Sequence, residues 1–421
     1  MLFERFRSFD LRKAPPGCGF LVTVIFIRCL FGGQAWGEDY DIIPSLMVKE
    51  EYTDNVFFSS SSRTSSFITA LVPRLILAKR DERTDAALTV GIDGFIYRDT
   101  RGVVTALNQH YRGRVSYQLT PRLSGSVDAA YMINNQPDDN LEQDGAVIDA
   151  VRRDLQTYSG SVNYALSEKS TVGLAYLYDQ ENYSGIPTSD NSSHAASLGY
   201  EYDLKAFLPS ARGRLNFGFN TYEFSDSNTD NYTATVGMGW AFSETWDFTA
   251  GVGGRYTNSE FDEIIVVPIQ EPPSLSQSTV RRSNTGYGWV ARAALSVRGG
   301  ETQNGSLIFN HNVALSSSRS GASETTSVDL QYRRFFTEKL SSSVSVGYQL
   351  SDSDGEQFSS TNIDENYIRF NAGLRYEFNR NMALDTSYSF VKAIYNQTDT
   401  SAYRNSFLVS FSVRYPLLDR W

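Results

Sequence analysis

The chain has almost no sulfur chemistry to offer. Its only cysteines, Cys18 and Cys29, both stand in the first 29 of 421 residues. Everything after them is therefore without a disulfide or a thiolate metal ligand. Histidine is nearly as scarce. His110, His194 and His311 lie far apart, so no metal cluster is expected, and no phosphate loop or dinucleotide motif suggests a cofactor. Positive charge is also short, with 38 Lys and Arg against 48 Asp and Glu and a net charge of −10. No basic domain is available to neutralise phosphates, so nucleic acid is not an expected partner. The mean hydropathy of −0.34 is too polar for a bundle of membrane-spanning helices.

Aromatic residues are abundant instead. The chain carries 25 Tyr and 26 Phe, and with Gly, Ser, Asn and Thr these dominate a composition that favours strands over helices. Residues 1–37 read as a secretory signal peptide. Arg5, Arg7, Arg12 and Lys13 form a basic start, an apolar run spans Phe20 to Phe31, and Ala35-Trp36-Gly37 offers a cleavage site. Arg28 interrupts the run. Its rival, a single membrane anchor, would need a longer run. Removal of 1–37 takes both cysteines with it and leaves 33 basic and 46 acidic side chains, a net charge of −13, on residues 38–421.

That remainder alternates with period 2. Phe407, Val409, Phe411, Val413 and Tyr415 share one face, with Ser410, Ser412 and Arg414 on the other. Tyr232–Phe242, Leu340–Leu350, Ile368–Phe378 and Leu123–Ile133 repeat the pattern. A soluble sandwich also alternates, but three features point elsewhere. The strands run to about ten residues or more, where soluble ones average about five or six. Tight turns such as Thr120-Pro121, Ser243-Glu244-Thr245 and Asn379-Arg380-Asn381 alternate with long Ser/Asn/Asp-rich loops such as 54–65, 134–148 and 258–284. Aromatics flank the tight turns, among them Tyr117, Tyr164, Tyr202, Trp240, Phe242, Trp246, Tyr376 and Tyr415, as at a membrane interface.

The expected fold is all-β: a single transmembrane antiparallel up-and-down barrel of about 18 strands, with 16 as the alternative. Short turns face the periplasm and longer loops face outward. The stretch 134–170 is the least clearly patterned. The strands consume residues 38–421 and leave no room for a plug or a soluble domain.

Two segments carry a resemblance. One is Ile43-Pro44-Ser45-Leu46 leading to Tyr52-Thr53-Asp54-Asn55-Val56-Phe57. The other is the turn Tyr117-Gln118-Leu119-Thr120-Pro121-Arg122, echoed at Tyr164-Ala165-Leu166-Ser167-Glu168-Lys169. With the closing Tyr415–Trp421, they resemble the β-barrel porin 2 family. The resemblance covers the whole of 38–421 and implies a pore in the bacterial outer membrane, linked in some members to exopolysaccharide export. The expected partners are outer-membrane lipid, the outer-membrane insertion machinery and a hydrophilic solute or polysaccharide.

Inward-facing charge is the functional candidate in such a barrel. Parity turns Arg74, Arg112, Arg114, Arg255, Arg292, Arg333, Arg369, Arg375, Arg414, Asp93, Asp128, Asp329 and Asp385 toward the lumen. Either they steer anionic solutes, or they neutralise one another in ladders such as Asp93 with Arg112 and Arg114 with Asp128. Tyr367 and Phe95 also face inward and could stack on sugars. Loop 258–284, with Ile264–Ile269 and Pro272-Pro273, either folds into the mouth as a constriction or prolongs its strands above the membrane. Parity puts His194 and His311 outward. His194 beside Ser192 or Ser193 is only a loose fit to a phospholipase-like site, so catalysis is not expected. The function that fits best is a porin for hydrophilic solutes, with an exported polysaccharide among the expected cargoes. Its alternatives are a structural or adhesive barrel without an open pore, and a sheath around a redox protein.

Overall fold

A computed structural model describes residues 40–99, 102–135, 152–184, 190–269, 274–316, 321–353, 358 and 362–417. The signal-peptide reading falls on residues 1–37 and lies outside them. Eighteen strands follow one another in chain order. They are β1 Tyr40–Thr53, β2 Ser66–Arg80, β3 Thr84–Asp99, β4 Gly102–Thr120, β5 Leu123–Asn134, β6 Arg153–Ser167, β7 Ser170–Tyr183, β8 Asn191–Asp203 and β9 Ala211–Phe224. The second half holds β10 Ser227–Ala241, β11 Trp246–Ile269, β12 Ser274–Gly299, β13 Gln303–Ser316, β14 Gly321–Phe335, β15 Leu340–Ser353, β16 Ile363–Asn379, β17 Met382–Tyr395 and β18 Thr400–Arg414. Each strand pairs antiparallel with its neighbours, and β1 pairs with β18, so the sheet closes. This is the expected all-β barrel, at 18 strands rather than 16.

The alternation dictates which face meets lipid. Val162, Leu174, Leu198 and Phe217 stand side by side in register across β6, β7, β8 and β9, and each is about half exposed. A row of large apolar side chains on a closed sheet is the surface a bilayer covers. Two aromatic rows bound it. Trp240, Phe242 and Trp246 stack beside one tight turn, at 5.4 and 6.2 Å. At the other edge Phe219, Tyr232, Tyr256 and Tyr287 form a ladder across β9 to β12, with ring centroids 5.0 to 6.2 Å apart. From Tyr232 to Trp240 the strand rises about 27 Å, which a tilt of about 40° reduces to about 21 Å, close to the apolar thickness of such barrels. Val236 lies midway and is 58% exposed. Val236→Arg is expected to cost about 2–4 kcal/mol in urea unfolding from vesicles. A neutral result there would move the bilayer off this row.

The tight turns share one chemical device. A side-chain oxygen accepts the backbone N–H two residues on, at Asp81, Thr120, Ser167, Asp203, Ser243, Thr337 and Asn379. Short Asp, Ser, Thr and Asn side chains can do this without leaving the turn. The N–H groups of Arg83 and Thr84 both point at Asp81 and hold its carboxyl below the usual carboxylate range, with Arg83 contributing most. The remaining turn relies on Gly300 instead, whose φ of +64° favours glycine.

Two forms were expected of 258–284. Strands expected at 245–257 and 286–298 run on to Ile269 and back from Ser274 as one hairpin. Of the two outcomes foreseen for this loop, the strand extension is the one found. Thr, Ser, Val and Ile alternate there well enough to sustain pairing.

Candidate functional site

The thirteen charged residues singled out by parity divide into two environments. At the periplasmic end the inward charges stay partly exposed. Asp128 accepts from both Arg112 and Arg114, at 3.0 and 3.2 Å, and all three remain partly exposed. Arg375 spans Glu377 and Asp385, at 3.0 and 3.1 Å. Arg369 reaches Asp329 at 2.5 Å, passing over Gly347. Arg414 donates to the backbone oxygen of Arg380. Among the described residues, Arg74, Arg292 and Arg333 have no carboxylate partner.

The same parity rule yields charges that the sequence reading did not single out. Glu201 holds Arg212 and Arg214, at 2.9 and 3.0 Å, and Asp247 pairs with Arg298. With these the periplasmic half of the wall carries an excess of arginine over carboxylate. It also carries a polar groove of about 670 Å³, lined by Ser296, Arg298, Asn304, Gln331, Arg333 and Ser343. A smaller hollow of about 250 Å³ shares Arg333 and Ser343 and continues to Asn371, Arg375, Asp385 and Ser387.

The outer half is different. Inward-facing side chains there are buried on strand after strand, including Asp93, Asn108, Asn134, Arg153, Glu181, Asn231, Arg255, Thr257, Ser351 and Glu365. They bond to one another. Arg153 pairs with Glu181 at 2.5 Å, Asn108 accepts from and donates to its neighbours Asn135 and Asn134, and Thr257 links Arg255 to Asn231. An 18-stranded barrel is wide enough for an aqueous lumen, whereas here the outer half is filled by buried side chains.

One expected ladder is corrected. Asp93 does not take Arg112; it meets His110 at 2.7 Å. Asp93 stands opposite Asn108 in register, and His110 is the next inward residue down β4, so it is the nearer partner. Arg112 goes to Asp128 instead. The Arg114–Asp128 pair is as expected. Phe95 and Tyr367 do face inward, but neither is available to stack on a sugar.

The segment 54–65 covers them. It was expected as an outer loop, yet it folds inside the barrel. Val56 packs on Ile68, Ala70, Val72 and Phe95, while Phe58 packs on Tyr367, Val391, Ala393 and Ala402. Asn55 is fully buried and pins the bend. Its amide donates to the carbonyls of Ser59 and Tyr403, both at 2.9 Å, and its oxygen accepts from Ser59 N–H. Arg63 lies over the Tyr403 ring at 3.4 Å. Small and apolar inward residues on β2, β17 and β18 are the signal that could have revealed this, since a water-filled lumen has no use for them.

His194 faces outward as expected. Its ring shares a hydrogen bond with the Tyr176 hydroxyl at 2.7 Å and lies tilted against Tyr178 at 4.8 Å, so neither Ser192 nor Ser193 is its partner. His311 has outward parity but is buried, and it stacks on Trp289 with centroids 3.7 Å apart.

No family model and no curated protein matches the chain. Solved barrels are similar to it at low identity. Acinetobacter baumannii OccAB4 is 10% identical over 91% of this chain and 100% of its own, with a TM-score of 0.44. Pseudomonas aeruginosa OccK2 (OpdF), solved with glucuronate, is 12% identical over 91% and 100%, also at 0.44. The ferric-catecholate import receptor Fiu from E. coli K12 is 9% identical over 91% and 82%, at 0.45.

Proposed function

We propose that this chain is a gated channel of the bacterial outer membrane, passing hydrophilic anionic solutes. The observation that carries the reading is the periplasmic half of the lumen. Arg74, Arg292 and Arg333 stand there exposed and, among the described residues, without carboxylate partners, on a wall that also carries Ser, Asn, Gln and paired arginines and carboxylates. Unneutralised guanidinium groups attract anions and orient planar carboxylates in a fork that lysine lacks. Hydroxyl and amide groups supply interchangeable donors and acceptors, which suit a sugar. A carboxylated polysaccharide is thus the finer form of the proposal, supported by the resemblance of 43–57 to the β-barrel porin 2 family. Alternating Phe407, Val409, Phe411 and Val413, closing at Tyr415, support recognition by the outer-membrane insertion machinery.

The buried outer half makes this a channel at rest in its closed form. Planar-bilayer recording of the refolded chain tests the reading. Brief, anion-selective openings over a closed baseline are expected. A barrel that stays silent, even when the inward segment 54–65 is removed, would falsify it.

One observation favours a second reading, an adhesive barrel. Beyond the outer aromatic row β10 stays paired with β11 as far as Phe261, and from there β11 and β12 continue to Ile269 and Ser274 as a two-stranded ribbon. That ribbon is about 26 Å of strand, long enough to present a surface to a partner. Arg281 pairs with Glu260 and Asp262 on it, and Arg282 with Glu263.

A further inference from the structure

The wall of the barrel is not continuous at every height. β12 pairs with β13 only from Gly299 opposite Gln303 up to Ala291 opposite His311. Above that point β12 keeps only β11, and β13 keeps only β14. The β1–β18 junction has a comparably short register, but backbone bonds from Asp54 to Asn405 and from Tyr415 and Leu417 to Pro44 and Ile42 extend it at both ends. No such continuation exists above Ala291 among the described residues.

Side chains fill the fork instead. Outside, His311 stacks on Trp289, which is 50% exposed. In the middle, Arg255 crosses to Glu324, and His311 meets the same carboxylate at 2.9 Å. Arg255 can cross only because position 288 has no side chain, since a Cβ there would come within 2.5 Å of its Nε. Inside, Val313 and Ala322 pack on Phe358 and Tyr222. The Tyr222 hydroxyl, reaching over from β9, donates to the Val313 carbonyl at 3.5 Å. At Val313 and Ala322, β13 and β14 therefore lean into the lumen, away from β12. The fork begins at Ala291, four residues below Tyr287 of the outer aromatic row. Through Val252 it is in register with Val236, so the fork begins midway down the apolar belt, about 10 Å below the outer aromatic row, and spans the belt's outer half.

We propose that this fork is a lateral opening through which a single-chain anionic amphiphile passes between the outer leaflet and the lumen. Its acyl chain would displace the apolar filling of Val313, Ala322 and Phe358. Its head would meet Arg292, the first inward residue beneath the fork on β12, which has no carboxylate partner. Backbone ladders resist such parting because every broken bond is left unsatisfied in lipid. Side-chain filling can part and re-form.

The test uses the absence of cysteine beyond Cys29. A fluorophore is placed at Asn310→Cys, opposite Arg292 in register, or at Asn371→Cys on the inward face of β16. Each protein is reconstituted in phospholipid vesicles and titrated with doxyl-stearate, or with a two-chain phosphatidylcholine carrying the same doxyl group. Doxyl-stearate is expected to quench the label at 310 and not at 371. Arg292→Gln should weaken that quenching about threefold, the size of one half-exposed ion pair. Glu324→Ala should strengthen it, and Trp289→Ala serves the same purpose should Glu324→Ala fail to fold. Equal quenching by phosphatidylcholine would overturn the single-chain class, and absence of quenching in all forms would overturn the opening. Axial conductance is read separately, so failure here leaves the channel reading standing.

Discussion

Serine at both Val56 and Phe58 raises the time-averaged conductance of the reconstituted barrel at least about tenfold. The reasoning is a two-state balance. In the closed form the two side chains are buried against the inner wall on either side of β1, Val56 on β2 and β3, Phe58 on β16 to β18. Burial of each is worth about 1.5–3 kcal/mol, an upper range because the released segment also hides some surface. Loss of even half the sum shifts the closed-to-open ratio by about 1.5 to 3 kcal/mol, and each 1.4 kcal/mol is tenfold. Asn55→Ala should act in the same direction, since it deletes the bonds to Ser59 and Tyr403. The strands lose no ladder bond in either variant, so the heat-modifiable band of the folded barrel should persist on a gel. A folded double variant with unchanged conductance would place the closure on the opposite side, at Tyr222 and Phe358.

The barrel itself was legible because its cause is local. Lipid on one face and a lumen on the other impose period 2, and each turn must supply its own hydrogen bonds, so Asp81, Thr120 and Ser243 announce themselves in the sequence. Parity then offers a facing for each of the thirteen candidate charges. What parity cannot supply is height and partnership. Asp93 was assigned Arg112, two positions beyond His110, because alternation gives the face of a side chain but not which inward neighbour is nearest. The two-part lumen was also hidden in plain pattern. Ile68, Ala70 and Val72 share the inward face of β2 with Arg74, and only the first three are covered. That apolar inward stretch has no meaning for an open pore. It becomes intelligible once 54–65, read as an outer loop for its serines, is seen to fold back on it. The β12–β13 fork had no sequence signal at all, since both strands alternate normally through the point where they part.

Reversing the three unpartnered arginines, Arg74→Glu, Arg292→Glu and Arg333→Glu, in the Val56/Phe58 double variant turns the channel from anion- to cation-selective. A monovalent ion about 6 Å from one such charge in water feels about 0.7 kcal/mol. Reversal changes the sign at each site, so three sites amount to a nominal shift of about 4 kcal/mol, of which salt near 0.1 M screens roughly half. A shift in the permeability ratio of about tenfold or more follows, read as the reversal potential across a salt gradient. The choice of residues matters. Arg112, Arg114 and Arg375 face the same water, but each already shares a carboxylate with a neighbour. Reversing those would crowd like charges and strain the wall, so an altered selectivity could not be separated from an altered barrel. Arg74, Arg292 and Arg333 have no carboxylate to abandon. Their reversal perturbs the field of the lumen and little else, and an unchanged reversal potential would mean that the solute path does not pass them.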